Sequence, residues 1–405
     1  MVLTYNRTLE GYIAELAQSQ VEPGSHALDL EIATFSRWAR DLIGPEDILD
    51  RDQAAAMLRR PLAAITTRGS LLDFYTDEIE YILSRFTPDR LSDYITTERT
   101  GRGLSPRVDA TLRRRFLDEV VLAYTADKTR VGALDWNDLA LAARDAARPL
   151  YDVVIVDEAQ DFSANQVRAI IAHQAQGHST TFVLDAIQRI YPRYFTWAEV
   201  GITLRPNHIY TLKHNYRNTR EVAAFARPLV AGLPLEDDGS LPDFAACDTS
   251  GPRPTVVVGL YSNQLCYMLD ELSARADLTK ESVAILQPRG GRWCSYARAE
   301  LSRRRVPYCE LTRQSVWPAG PEQVGLSTIH SAKGLEFDHI LLPGLNREVT
   351  PHGEDEGDGS LEQLRRLLAM AIGRARRSVM IGYKPDEGST LISLLDPATF
   401  DTVHV

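Results

Sequence analysis

Acidic and polar residues follow two apolar runs in the first half of the sequence. Asp157-Glu-Ala-Gln-Asp161 comes directly after the run Tyr151–Val156, and Asp185 and Gln188 follow the run Thr181–Leu184. Ligands of parallel sheets bind at the carboxyl ends of strands, so the acids after the first run are predicted to project into that crevice. An aspartate there can hold Mg²⁺, and its neighbour can orient and deprotonate an attacking water. A strand that merely ends in acids is the alternative.

The surrounding pattern predicts the elements that position these residues. Apolar runs alternate with helix-like stretches, which is typical of βαβ units and a parallel sheet. The continuous apolar run Tyr151–Val156 predicts a strand buried on both faces. From about 45 to 130, charged and apolar residues mix without a strand pattern, which predicts a helical insertion. A second set of strand candidates follows Ile209, so we predict two α/β domains, residues 1–205 and 206–405.

Composition and charge narrow the class of protein. Of 405 residues, 44% are hydrophobic and 25% are charged, which excludes a mainly disordered chain. The sequence shows no membrane-length apolar stretch and no signal peptide, and its four cysteines form no Cys-x-x-Cys pair. We therefore expect a cytoplasmic protein with no membrane partner. The net charge of −10 argues against coating nucleic acid by bulk charge, but a local groove stays possible.

Further segments complete an ordered series around the acidic pair. They are Val2–Arg7, Ile32–Trp38, Leu134–Asp138, Phe182–Tyr191, Leu212–Thr219, Thr328–Phe337 and Leu367–Arg376. In this order they resemble the motifs of UvrD/Rep-type DNA helicases of superfamily 1. The resemblance implies an α/β fold of the P-loop NTPase class with two RecA-like parallel-sheet domains. The first would be incomplete at its N-terminus and carry the helical insertion at about 45–130, and the second a reduced insertion at about 227–324.

The resemblance also implies a site for ATP and Mg²⁺ in the cleft between the domains. Asp157 would bind Mg²⁺ and Glu158 would be the general base. Gln160 and Gln188 would sense the γ-phosphate. Tyr216 would stack on adenine, and Arg217 and Arg374 would contact the γ-phosphate. Glu336 would accept a hydrogen bond from the ribose, and Gly334 belongs to the same nucleotide-binding motif.

A second set of residues lies in motifs that contact DNA in this family. Those expected to touch the phosphates of a single strand are Thr4, Asn6, Thr34, Thr328 and His330. Tyr191 and Trp38 are candidates for stacking on unpaired bases. For Trp38, packing between helices is the more frequent role of such a residue.

One motif of the family is absent. The P-loop G-x-x-x-x-G-K-[ST] cradles phosphates with its amides, yet the sequence has no Gly-Lys dipeptide. We expect either a natural chain that starts upstream, or a protein partner that supplies the P-loop, or a protein that binds DNA without hydrolysis. The predicted function is an ATP-dependent translocase or 3′–5′ helicase on single-stranded DNA or on duplex with a single-stranded tail. The alternatives are a hydrolysis-deficient DNA-binding or regulatory subunit, and, with less support, an NTPase without nucleic acid.

Overall fold

The computed structural model divides into two compact units. It describes residues 1–5, 7–20, 29–44, 46–99, 106–146, 150–184, 195–210, 212, 215–233, 247–288, 292–312, 323–351 and 359–405. The first unit contains the described residues of 1–5, 28–184 and 191–209, and the second those of 6–27, 185–190 and 210–405. Among these residues, no helix has the length and apolarity to cross a membrane.

The strands and helices of both units are numbered along the chain. The strands are β1 Val2–Thr4, β2 Ile32–Thr34, β3 Tyr151–Val156, β4 Gln174–Phe182, β5 Asn215–Thr219, β6 Cys247–Thr249, β7 Thr255–Val258, β8 Val283–Gln287, β9 Tyr308–Glu310, β10 Val324–Thr328, β11 Phe337–Leu342, β12 Ala375–Tyr383 and β13 Asp401–His404. The helices are α1 Arg7–Gln20, α2 Phe35–Ile43, α3 Arg51–Ala63, α4 Gly69–Arg85, α5 Ala110–Arg115, α6 Leu122–Val131, α7 Trp136–Asp145, α8 Ala164–Ala172, α9 Arg220–Val230, α10 Tyr261–Arg275, α11 Arg292–Arg303, α12 Gly359–Gly373 and α13 Thr390–Ser393.

The first unit is built on a parallel sheet of order β2-β1-β3-β4. Alternate residues of its strands, such as Leu3 and Val154, share one hydrophobic core with α2, α7 and α8. Thr34 begins α2, because its Oγ1 accepts a hydrogen bond from the Arg37 amide at 3.3 Å. This sheet carries the acidic turn at the carboxyl end of β3.

The predicted burial of β3 on both faces is wrong. Val154 and Val156 are fully buried, but Val153 is 54% exposed and Ile155 is 37% exposed. Successive side chains of a strand point to opposite faces, so one face of β3 packs in the core and the other reaches the surface. Four consecutive apolar residues, 153–156, do not distinguish these two situations.

Helices fill the range between β2 and β3 where an insertion is predicted. Asp50 and Gln53 form a capping box at the start of α3, and α5 continues through a π-helical turn, Phe116–Val121, into α6. These helices share a hydrophobic core of their own. Its buried Glu78 accepts two hydrogen bonds from Arg99, each of 2.7 Å, which compensates the buried charge.

The second unit contains a seven-stranded parallel sheet of order β13-β7-β12-β11-β8-β10-β9. Hydrophobic clusters cover both of its faces. The predicted insertion at about 227–324 is therefore wrong, because this range supplies β7, β8 and β9. All five residues of β8 are buried; Val283–Gln287 pair with β10, and the first three of them also pair with β11. Such a strand belongs to the domain core.

Helix α1 is also assigned differently from the prediction, which includes it in the domain of residues 1–205. Its contacts place it in the second unit. The Thr8 hydroxyl donates a buried hydrogen bond of 2.8 Å to the carbonyl oxygen of Leu311. Tyr12 packs against the core cluster that includes Phe337 and Ile340. The buried first half of α1 thus finds its partners in the second unit. The predicted boundary at 205/206 itself stays a prediction.

Candidate functional site

The acidic turn after β3 is fixed by backbone hydrogen bonds on both sides. The Asp157 amide donates to the carbonyl oxygen of Leu3 at 2.8 Å, and the Ala159 amide donates to that of Val183 at 2.9 Å. Between them, Glu158 has φ = 53°, in the left-handed region. Such a conformation costs a non-glycine residue about 1–3 kcal/mol and is concentrated at functional sites.

The side chains of this turn interact with each other. Gln160 is 2% exposed, and its amide nitrogen donates to the Glu158 carboxylate. Glu158 is 9% exposed, so its carboxylate is mostly shielded from bulk water. An orienting amide beside a shielded carboxylate suits a group that positions one water molecule. Two residues that are predicted for the ATP site, Glu158 and Gln160, thus contact each other, and their roles on a nucleotide stay predictions.

Four predicted residues lie outside the described part of the structure. They are Asn6, Asp185, Gln188 and Tyr191. Their predicted roles on DNA and on the γ-phosphate stay predictions.

The three other predicted DNA contacts of the first unit are all buried. Thr4 is fully buried at the end of β1, and its hydroxyl has no hydrogen-bond partner within the described residues. Thr34 is 5% exposed and caps α2. Trp38 is 1% exposed, packs against Phe35 and donates from Nε1 to the Tyr151 hydroxyl at 3.1 Å. The prediction that Trp38 stacks on a base is corrected, because its indole belongs to the core.

In the second unit, β5 and the turn around it present the predicted adenine-binding aromatic. The Asn215 side-chain oxygen accepts hydrogen bonds from the amides of Arg217 and Asn218, each at 3.1 Å. The side-chain Nδ2 of Asn218 donates to the carbonyl oxygens of Gly373 and Ala375, which fixes β5 beside the start of β12. Tyr216 is 76% exposed. An exposed aromatic on a rigid backbone is suited to stacking on a planar ring.

Beside Tyr216 in sequence, Arg217 takes part in a group of three charges. Its Nε donates to Oε1 of Glu336 at 2.6 Å, and Arg376 donates to Oε2 at 3.0 and 3.1 Å. Burial raises the pKa of Glu336, but the charges and hydrogen bonds of both arginines outweigh it, and the pKa lies below its ordinary value. Glu336 is therefore a carboxylate at neutral pH.

Arg374 and Gly334 are both enclosed by the second unit. Arg374 is 2% exposed, with Nε at 3.4 Å from the sulfur of Met370. Gly334 has φ = 82°, and a Cβ placed on it would lie 2.6 Å from a methyl carbon of Leu9 in α1. Their predicted contacts with nucleotide stay predictions, and Gly334 has the additional role of accommodating α1.

Thr328 and His330 follow β10. The Thr328 hydroxyl accepts from the Ser331 amide at 3.2 Å, which starts the turn that carries His330 and Lys333. His330 reaches the surface, yet surrounding protein atoms lower its pKa, and the Lys333 charge lowers it further. A neutral imidazole can accept or donate a hydrogen bond, so His330 can contact a sugar–phosphate backbone without adding charge.

Sequence reasoning missed Arg376. Its place beside Glu336 follows from the parallel pairing of β11 with β12, in which Phe337 lies opposite Ala375. Residues next to this pair, Glu336 and Arg376, are thereby brought together. This register is a tertiary property that no local pattern in the sequence specifies.

Residues 310–385 match the family model of the UvrD-like helicase C-terminal domain. DNA helicase IV of Escherichia coli K12 is 26% identical over 266 residues, which are 60% of this chain and 35% of that protein. A probable DNA helicase II homologue of Rickettsia conorii is 41% identical over 63 residues, or 15% of this chain and 10% of that protein.

Parts of the chain are also similar to a third curated helicase and to a solved helicase domain. The ATP-dependent DNA helicase Rep of Buchnera aphidicola is 34% identical over 61 residues, or 15% of this chain and 9% of that protein. A solved C-terminal domain of a possible DNA helicase from a Lactobacillus strain, WCFS1, is 19% identical, with a TM-score of 0.34 over 46% of this chain and 98% of that one. The chain spans 10% of the Rickettsia relative and 35% of helicase IV. The resemblance to UvrD/Rep-type helicases is confirmed, and residues 310–385 are the part that matches the model of a UvrD-like helicase C-terminal domain.

Proposed function

We propose that the chain is an ATP-dependent translocase or 3′–5′ DNA helicase of the UvrD type that acts on single-stranded DNA. The observation that carries this proposal is the turn after β3. It holds Glu158 in a left-handed conformation with its carboxylate oriented by Gln160. A strained, shielded carboxylate next to an aspartate at a strand end is suited to activating water for attack on a phosphoryl group.

The second unit contributes groups suited to a nucleotide. Tyr216 offers an exposed ring for adenine, and Arg217 offers a guanidinium for a phosphate. Glu336, which is charged, can also accept a hydrogen bond from a ribose hydroxyl. These groups supply the base, ribose and phosphate contacts of a nucleotide, and the turn after β3 supplies the carboxylate that activates water.

Mg²⁺ fits the donor set of the first unit. Magnesium in phosphoryl-transfer sites is bound by one or two carboxylates together with substrate phosphates, and it keeps several waters. Asp157 at the end of β3 is such a carboxylate. Within the described residues no cluster of three His, Cys, Asp or Glu side chains forms a metal site. When bound, Mg²⁺ neutralises phosphate charge.

A strand-displacement assay tests this function. The substrates are a duplex with a 3′ single-stranded tail and the same duplex with a 5′ tail, each with ATP. We expect displacement from the 3′-tailed substrate only, and none with Glu158→Gln. Displacement from the 5′-tailed substrate would contradict the polarity. Equal displacement by the variant would remove Glu158 as the base.

The second candidate is a DNA-binding subunit that obtains its phosphate-binding loop from a partner. It is favoured by the exposed face of β3, where Val153 and Ile155 reach the surface, and by the absence of a Gly-Lys dipeptide. In the described residues, β4 pairs only with β3. A strand followed by an amphipathic helix could therefore extend this sheet and cover that face. Retained binding to single-stranded DNA with no ATP turnover would favour this candidate.

A further inference from the structure

Glu336 holds two arginines at once, one on each carboxylate oxygen. Oε1 accepts from Arg217 at 2.6 Å, and Oε2 accepts from two nitrogens of Arg376 at 3.0 and 3.1 Å. The side chains of Arg217, Glu336 and Arg376 are 34%, 29% and 50% exposed. A surface pair of long side chains is ordinarily loose, and the forked contact of Arg376 supplies the geometry that a single pair lacks.

Arg217 still has donors to offer. Within the described residues its Nε is bound to Glu336, while its two terminal nitrogens have no hydrogen-bond partner. A guanidinium presents its donors in a rigid plane, so fixing Nε also fixes the direction of the terminal nitrogens. Two parallel N–H groups with a fixed direction are suited to the oxygens of a phosphate.

Arg376 determines the charge of this arrangement. Two guanidinium groups and one carboxylate give a net charge of one positive unit, which attracts an anion. If Arg376 were absent, Glu336 would cancel the charge of Arg217, and its Oε2 would lose both hydrogen bonds. The carboxylate and Arg217 would then regain rotameric freedom, which must be given up again when a ligand binds.

We propose that Arg376 is a positioning residue for Arg217: through Glu336 it orients the terminal nitrogens of Arg217 toward a phosphate group of a nucleotide. This inference rests on the proposed function, which places a nucleotide beside Tyr216 and Arg217. It adds a residue that the sequence motifs do not assign and that reaches the ligand only through its neighbours.

The orientation is tested by NMR on the chain labelled with ¹⁵N-arginine, without nucleotide. Arg217→Lys assigns the Nε–Hε resonance of Arg217. We expect this resonance to shift and to sharpen in Arg376→Gln. The neighbouring Arg377→Gln serves as the control, because Arg377 pairs with Glu281 and Asp338 and not with Glu336. An unchanged Arg217 resonance in Arg376→Gln would overturn the proposal.

Titration with Mg-ATP provides the functional readout. We expect Arg376→Gln to raise the Kd about tenfold, Arg377→Gln to change it less than about twofold, and Arg376→Lys, which restores charge without the fork, to lie between. Equal Kd values for Arg376→Gln and the unsubstituted chain would also overturn the proposal. Absence of ATP binding in every form would contradict the proposed function of the isolated chain, while the Arg217 resonance would still decide the positioning role.

Discussion

Gly334 illustrates how one residue serves both a local conformation and a packing contact. Its φ of 82° is strained for any residue with a side chain, and the Leu9 methyl groups fill the space where a Cβ would lie. Gly232 has a similar φ of 73° but has nothing within 4 Å of such a Cβ. A side chain at residue 232 would meet conformational strain alone, whereas a side chain at residue 334 would also collide with Leu9.

We predict that Gly334→Ala destabilises the second unit more than Gly232→Ala does. Strain alone costs about 1–3 kcal/mol, and the contact with Leu9 adds to it only at residue 334. Urea unfolding measures both values. Leu9→Ala combined with Gly334→Ala should recover part of the loss, because it removes the colliding methyl groups. Equal effects of the two glycine substitutions would show that α1 does not pack on Gly334.

Tyr216 carries a prediction about ligand binding without loss of stability. Its ring is 76% exposed, so Tyr216→Ala removes little buried surface. If the ring stacks on adenine, the substitution weakens ATP binding by about 1–3 kcal/mol, the range measured for stacking on bases. Tyr210, which is 87% exposed in the same unit, is the matched control. Equal ATP affinities of the two alanine variants would remove Tyr216 from the nucleotide site.

Among the elements, α1 depends on a buried hydroxyl for its attachment. Thr8→Val keeps the shape of the side chain but removes the donor to the Leu311 carbonyl. We expect a loss of about 1–3 kcal/mol in the free energy of unfolding, since the carbonyl is left in a buried environment. Ser19 donates a comparable bond of 2.7 Å to Leu16 in an exposed position. Ser19→Ala should therefore change stability little, and a neutral Thr8→Val would contradict the docking of α1.

A group of ion pairs at the C-terminal end of α11 makes stability depend on pH. Hydrogen bonds from Arg303 and then Arg304, working against burial, lower the pKa of Glu300 from 4.5 to about 2. Because the folded pKa is the lower one, Glu300 stabilises the fold above pH 4.5, and this contribution is lost as the pH falls toward 2.

We predict that Glu300→Gln lowers stability at pH 7 and flattens the loss of stability between about pH 5 and 2. Thermal unfolding over this pH range measures the effect. Glu271→Gln removes an exposed pair with Arg275 on α10 and should leave the pH profile nearly unchanged. A profile of Glu300→Gln that parallels the unsubstituted chain would show that Glu300 titrates normally.

At the scale of the whole molecule, the sequence predicts the α/β class and the parallel sheets, which are confirmed, because strand patterning is a local property. The sequence does not predict which faces of the sheets are covered by other elements. The run Tyr151–Val156 reads as buried on both sides, yet Val153 and Ile155 reach the surface. β7 pairs with β12 and β13, and β8 pairs with β10 and β11. Local patterns in the sequence do not reveal these pairings, because the paired strands are not consecutive along the chain.

The candidate site shows the same limit. Glu158 and Gln160 are two residues apart, so their interaction follows from a local turn. The contact of Glu336 with Arg376 depends on the register of β11 and β12, and the burial of Trp38 depends on helices distant in sequence. Long-range register and packing are set by the assembled core, which the spacing of residues along the chain does not contain.

The central claim is that Glu158 activates water for ATP hydrolysis coupled to DNA. The most direct test is ATP turnover by the chain with and without single-stranded DNA, for the unsubstituted protein, Glu158→Gln and the exposed control Glu46→Gln. We predict DNA-stimulated turnover that is lost in Glu158→Gln and retained in Glu46→Gln. Turnover that is unchanged in Glu158→Gln, or absent from the unsubstituted chain while it binds DNA, would contradict the claim.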